Sequence, residues 1–75
     1  MSHPQLLHVL KIGRRASINV RDLADASSAY AIERMESGEG ASTFPEGRIT
    51  IERKTYRISY NGRVWDGETC IMEAQ

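Results

Sequence analysis

Residues 48–66 read RITIERKTYRISYNGRVWD and alternate apolar with polar side chains in three short runs. Alternation with a period of two is typical of β-strands that are buried on one face. The dipeptide Asn61-Gly62 separates the last two runs and favours a type I′ hairpin turn. The stretch therefore predicts three antiparallel strands, at 48–52, 55–60 and 63–66.

The two turns of this stretch decide which side chains share a face of the sheet. A two-residue turn at 61–62 places Ile58 opposite Trp65, and a second one at 53–54 places Ile49 opposite Ile58. A slip of one residue would invert every side chain, so the register makes a definite prediction. The predicted apolar face comprises Ile49, Ile51, Tyr56, Ile58 and Trp65. The predicted polar face comprises Thr50, Thr55, Arg57, Ser59 and Asp66.

The chain before residue 48 predicts a hairpin followed by one helix. Residues 6–12 and 16–18 are typical of strands and flank a turn at Gly13. Apolar residues recur at helical spacing over 20–37, with acidic residues on the other side. Asn19 is the expected N-cap of this helix, and Gly38 is the glycine expected at its end. The order ββ-α-βββ predicts an α+β fold, in which a single antiparallel sheet packs on one helix in two layers.

Length and composition favour one small domain over residues 1–75. The chain has about half the usual length of a domain, and 40% of its residues are hydrophobic and 27% charged. Such a balance is typical of a globular protein rather than a disordered one. Residues 1–5 and 67–75 are predicted to be partly flexible tails, with a last short strand at 70–72 as the alternative.

Cysteine content and hydropathy favour the cytoplasm. Cys70 is the single cysteine, so no intrachain disulfide can form. The apolar run at 6–12 is interrupted by His8 and Lys11, which does not fit a signal peptide. No stretch approaches the roughly 20 apolar residues of a membrane span. We therefore expect a cytoplasmic protein that makes no membrane contact.

A formal net charge of zero conceals a strong segregation along the chain. Residues 22–46 are mainly acidic, whereas residues 8–21 and 47–63 are mainly basic. The basic segments predict a binding surface for nucleic acid or an acidic protein. Its candidate residues are Arg48, Arg53, Lys54, Arg57, Arg63, Tyr60, Arg14 and Arg15. The alternative is that charged turns and edge strands prevent sheets from pairing edge to edge.

The sequence predicts no enzyme, no cofactor and no metal. His3 and His8 lie near one terminus and Cys70 near the other, a spacing that matches no nucleophile or metal motif. The glycines and hydroxyls of residues 38–43 follow the predicted helix, whereas a phosphate-binding loop precedes one. These residues are therefore expected to end the helix and form a loop.

Three segments together resemble a known class of small phage-encoded proteins. They are residues 22–36, the run GAST at 40–43 and the run YRISYNGRVW at 56–65. This pattern, which covers about residues 16–66, is similar to that of small anti-CRISPR proteins that act on type I surveillance complexes. The resemblance implies a five-stranded antiparallel sheet with one helix.

The resemblance also implies a non-enzymatic inhibitor that sits on the backbone subunits of a crRNA-guided complex. The partner would be a host protein or ribonucleoprotein, and the inhibitor would block target DNA from pairing with the guide. The basic residues would cover the path of the DNA phosphates, or the acidic helix would mimic phosphates to a basic host protein. The alternative function is a small nucleic-acid-binding module that uses the basic sheet face.

Overall fold

Six strands and one helix form the fold of residues 7–73, the part of the chain that this computed structural model describes. All neighbouring strands are antiparallel, in the order β2-β1-β3-β4-β5-β6. The elements are β1 (His8–Ile12), β2 (Ala16–Val20), α1 (Leu23–Ser37), β3 (Gly47–Ile51), β4 (Lys54–Ile58), β5 (Val64–Asp66) and β6 (Thr69–Met72). The predicted α+β class is confirmed, and β6 is the strand that had been the alternative to a tail. The flexibility predicted for residues 1–5 lies outside the described residues.

The hydrophobic core lies between α1 and one face of the sheet. At its centre is Tyr30, which is fully buried and donates a hydrogen bond of 2.9 Å to the carbonyl of Pro45. Phe44 closes the core from the loop after α1, with its ring 5.4 Å from the ring of Tyr30 in an edge-on arrangement. The buried apolar residues are Leu10, Ile12, Val20, Ala26, Tyr30, Phe44, Ile49, Ile58 and Val64.

The helix begins at Leu23, three residues later than predicted, because Asp22 and not Asn19 is its N-cap. The Asp22 carboxylate accepts a hydrogen bond of 2.8 Å from the backbone N–H of Asp25. Asn19 lies in β2 opposite Val9. The next residue along β2, Val20, is buried in the core and keeps the chain extended there. The predicted end is confirmed, since Gly38 adopts a left-handed conformation with φ of 71°.

The β3–β4 turn differs from the prediction by one position. Its central residues are Glu52 and Arg53, which both have positive φ, and not residues 53–54. Ile49 is therefore opposite Tyr56 and not opposite Ile58. This changes the pairing by two residues, which leaves every side chain on its predicted face. Ile49 and Ile58 are accordingly buried.

The β4–β5 connection is one residue longer than predicted. This difference exchanges the faces of the sheet on which the side chains of β5 lie. Its ends are joined by a hydrogen bond of 3.0 Å from the N–H of Ser59 to the carbonyl of Arg63. A type I′ turn needs positive φ at both central residues, but in this loop only Gly62 has it. Ile58 therefore pairs with Val64, and the core position predicted for Trp65 is taken by Val64. Trp65 lies on the opposite face.

Candidate functional site

The register aligns four side chains in one row across the face of the sheet that points away from α1. Lys11 on β1 is opposite Arg48 on β3, Arg48 is opposite Arg57 on β4, and Arg57 is opposite Trp65 on β5. The core residues that alternate with these four along their strands lie on the other face and are buried, namely Leu10, Ile12, Ile49, Ile58 and Val64. We call the three cations Lys11, Arg48 and Arg57 the basic row.

The basic row places like charges directly opposite one another, which destabilises a sheet. Arg57 is partly neutralised, since its Nη1 lies 2.7 Å from Oε2 of Glu46. Lys11 and Arg48 have no carboxylate within ion-pair distance among residues 7–73. The row thus presents two cations without an ion pair among the described residues, side by side on an open surface, and Glu46 lines a pocket with both of them.

Trp65 extends the basic row with a half-buried aromatic ring. The guanidinium carbon of Arg57 lies 5.2 Å from the centroid of this ring, within the range of a cation–π contact. The indole Nε1 donates a hydrogen bond of 3.0 Å to Oγ of Ser59, which holds the ring in place. A shallow groove of about 230 Å³ lies beside this pair. It is lined by Arg48, Thr55, Tyr56, Arg57, Trp65 and Gly67.

A second groove of the same face lies on the other side of Arg48. Leu7 and Val9 are 53% and 44% exposed along its wall. Thr50 and Thr55 lie opposite each other at its floor, with their hydroxyls 2.9 Å apart. The open face therefore combines cations, hydroxyls and apolar surface.

Two of the predicted site residues, Arg48 and Arg57, share the open face as expected, and the observed register places them opposite each other. Arg53 is exposed in the β3–β4 turn, beyond the end of the row. Lys54 begins β4 and binds Asp66, with 2.6 Å between Nζ and Oδ2, and this hydrogen bond raises the pKa of Lys54. These two residues therefore belong to one end of the sheet and not to its open face.

The remaining predicted site residues lie at the opposite end of the sheet and are mostly engaged within the protein. Arg14 is exposed in the β1–β2 turn, while Arg63 lies 3.1 Å from Glu73. The hydroxyl of Tyr60 donates a hydrogen bond of 2.8 Å to the carbonyl of Glu39. Tyr60 thus holds the loop that follows α1, while its role in binding a partner stays a prediction.

Arg15 also anchors this loop. Its guanidinium donates hydrogen bonds to the Glu39 carboxylate and lies 5.2 Å from the centre of the Phe44 ring. The hydrogen bond from Arg15 lowers the pKa of Glu39 and raises that of Arg15. Arg15 is therefore a structural cation, in contrast to Arg48.

The outer surface of α1 is the other notable region. Ile32 and Met35 are 57% and 74% exposed and lie three residues apart, beside the exposed Glu36. The helical spacing over 20–37 places Met35 on the predicted apolar side of the helix, so its exposure corrects that prediction. Arg34 faces inward instead and donates a hydrogen bond to the carbonyl of Tyr60, with its guanidinium 5.3 Å from the Tyr60 ring.

Sequence reasoning missed Lys11, a member of the basic row, and Trp65, which extends the row. Lys11 alternates with the buried Leu10 and Ile12, so strand periodicity alone indicates that it faces away from the core. Its place beside Arg48 depends on β1 pairing with β3, for which the sequence offers no signal. Trp65 was missed because the predicted turn was one residue too short.

Comparison with protein-family models, curated proteins and solved structures gives no match to this chain. Within residues 7–73, no helix is long and apolar enough to cross a membrane. The same part of the chain contains no cluster of three or more histidine, cysteine or acidic residues suited to a metal ion.

Proposed function

We propose that the protein is a non-enzymatic binding protein that recognises nucleic acid through the open face of its sheet. The observation that carries this proposal is the basic row, in which Arg48 lies between Lys11 and Arg57. Mutual repulsion of these cations costs stability in the free protein. A phosphate backbone laid over them would relieve that repulsion and release its own counterions.

The dimensions of the row suit a single nucleic-acid strand. Neighbouring strands of a sheet lie about 4.8 Å apart, so the three cations span about 10 Å. The rise of about 3.4 Å per nucleotide holds along the axis of a duplex. Successive phosphates of one strand are farther apart than this rise, so the row can meet only a few phosphates of a strand. Phosphate contacts of this kind give affinity and position but carry no sequence information.

A salt titration with labelled oligonucleotides, followed by fluorescence anisotropy, tests the proposal. We expect binding at low salt that weakens steeply as salt is raised. Arg48→Gln should weaken binding and reduce the slope of log affinity against log salt by about one. Arg53→Gln removes the same charge from a turn outside the row and should leave both quantities nearly unchanged. The absence of binding to any oligonucleotide at low salt would refute the proposal.

The surface of α1 favours a second candidate, an inhibitor that docks on a protein. Exposed apolar side chains flanked by charge, such as Ile32 and Met35 beside Glu36, are typical of protein-binding sites. Joined to the resemblance described above, this surface suits an anti-CRISPR-like inhibitor of a crRNA-guided complex. The helix would contact a host subunit in the cytoplasm of the host cell, and the basic row would cover the path of target DNA.

A pull-down from bacterial lysate, with nuclease treatment, distinguishes the two candidates. An inhibitor should retain a defined multisubunit complex after nuclease treatment and lose it when Ile32 and Met35 are both replaced by Gln. The variant Ala24→Gln alters another exposed position of α1 and serves as the control. A capture that depends on intact nucleic acid and persists in the double variant would favour the nucleic-acid module.

A further inference from the structure

We infer that the open face selects single-stranded over double-stranded nucleic acid, because Trp65 and Arg57 form a stacking platform for one unpaired base. The inference rests on the proposed nucleic-acid function and specifies the ligand of the same surface. It assigns separate tasks to the cations of the basic row and to Trp65. Lys11 and Arg48 contact phosphates, while Arg57 and Trp65 contact a base.

The location of Trp65 is the first observation behind this inference. Trp65 is the single tryptophan of the chain, and Val64 occupies the core position beside it. The ring instead continues the row of cations on the open face, opposite Arg57. Aromatic rings interleaved with cations on a surface are the usual means of binding single strands, since every base has a face that can stack.

The contacts of Arg57 are the second observation. Its charge is already met by Glu46 at 2.7 Å, so it is a poorer phosphate ligand than Arg48. The same guanidinium lies over the indole of Trp65, 5.2 Å from the ring centroid. A guanidinium is planar and stacks on aromatic rings and bases alike. Glu46 and Trp65 thus hold Arg57 as part of the platform.

The groove beside the pair provides the space for a base. It has a volume of about 230 Å³, and its lining includes Trp65, Arg57 and Arg48. A base in this groove would leave its phosphate near Arg48. Bases of a duplex are paired and stacked, so reaching the groove would require unstacking at a cost of a few kcal/mol. An unpaired strand avoids that cost.

The test compares three oligonucleotides of equal length that carry the same backbone. They are a single strand of thymidine, the same strand with abasic sites throughout, and a duplex. Anisotropy measures affinity, and the intrinsic fluorescence of Trp65 reports stacking directly, since no other tryptophan is present. We expect the thymidine strand to quench this fluorescence and to bind about 5- to 150-fold more tightly than the abasic strand.

Variants at position 65 complete the test. Trp65→Leu should reduce the affinity for the thymidine strand to that for the abasic strand, whereas Trp65→Phe should retain part of the difference. Urea unfolding of each variant identifies any loss of folding. Equal binding of all three ligands without quenching would overturn the inference and leave the proposed function intact. No binding of any ligand would overturn both, and an RNA strand of uridine distinguishes the two kinds of nucleic acid.

Discussion

The ring of Tyr30 on α1 packs directly over Gly47 at the start of β3. A Cβ atom at position 47 would lie 3.0 Å from Cδ1 of Tyr30 and 3.1 Å from Cδ1 of Leu10. Tyr30 is fully buried and hydrogen-bonded to Pro45, so its ring has little room to move. We expect Gly47→Ala to lower the free energy of unfolding by about 1–3 kcal/mol, as measured by urea denaturation.

Gly40→Ala is the matched control for this prediction. A Cβ atom at position 40 would have no neighbour within 4 Å. The Gly40 carbonyl, which accepts hydrogen bonds from the N–H groups of Thr43 and Phe44, is unchanged by the substitution. The variant should be as stable as the parent or more stable by about 0.4–1 kcal/mol. Similar losses in both glycine variants would contradict the packing role of Gly47.

The start of the helix provides a second prediction. Asp22→Ala removes the acceptor of the Asp25 N–H and should destabilise the protein by about 0.5–2 kcal/mol. Asn19→Ala alters an exposed position of β2 and should change the free energy of unfolding by less than about 0.5 kcal/mol. Thermal unfolding of both variants measures the difference. A larger loss for the Asn19 variant would assign the N-cap to that residue.

The sequence predicted the class of each element because periodicity is a local property. The end of α1 at Gly38 was predictable for the same reason, since a glycine is favoured where the chain turns left-handed. Its start was not, because Asn19 and Asp22 are both good N-caps. The burial of Val20 decides between them, and burial depends on strands that are distant in sequence.

In the candidate site, the predicted face of each side chain depends on the predicted length of the turns. Arg48 and Arg57 were placed correctly, because the change in the β3–β4 turn shifts the pairing by two residues and preserves each face. Trp65 was misplaced, because the Asn61 side chain accepts a hydrogen bond from the N–H of Arg63 in a longer loop. Local propensity favours both the two-residue turn at 61–62 and the longer loop. The burial of Val64 in the core decides between these two alternatives.

The contact between Arg15 and Glu39 predicts a dependence of stability on pH. Its hydrogen bond lowers the pKa of Glu39, so the folded protein binds this proton less readily than the unfolded chain. The stabilisation is therefore fully present above the unfolded pKa of about 4.3 and is lost as the pH falls through the lower folded value. We expect Arg15→Gln to destabilise at neutral pH and to approach the parent protein as the pH falls below the lowered pKa of Glu39.

Urea denaturation of both proteins across this pH range makes the measurement. Arg14→Gln removes a neighbouring charge that has no ion pair among the described residues. Its difference from the parent should stay small over the same range, because no carboxylate depends on it. If Arg15→Gln showed a constant difference at every pH, its effect would come from packing on Phe44 and not from the Glu39 carboxylate.

A last prediction separates function from stability at Arg48. Arg48 lies opposite Lys11 and also opposite Arg57, whose charge Glu46 partly neutralises, so removal of Arg48 should relieve mainly the repulsion with Lys11. We expect Arg48→Gln to raise the free energy of unfolding by a few tenths of a kcal/mol at low salt. The gain should shrink at high salt, since about 1 M salt reduces the screening length to about 3 Å. Urea is uncharged, so denaturation at both ionic strengths isolates this effect.

The same Arg48→Gln protein should bind oligonucleotides more weakly while being more stable, which is typical of a residue kept for binding. Arg14→Gln serves again as the control, because Arg14 lies in a turn and has no basic residue opposite it across a strand pair. It should change neither stability nor affinity. If Arg48→Gln lowered stability at low salt, the row would be compensated within the protein, and the charge repulsion that supports nucleic-acid binding would be absent.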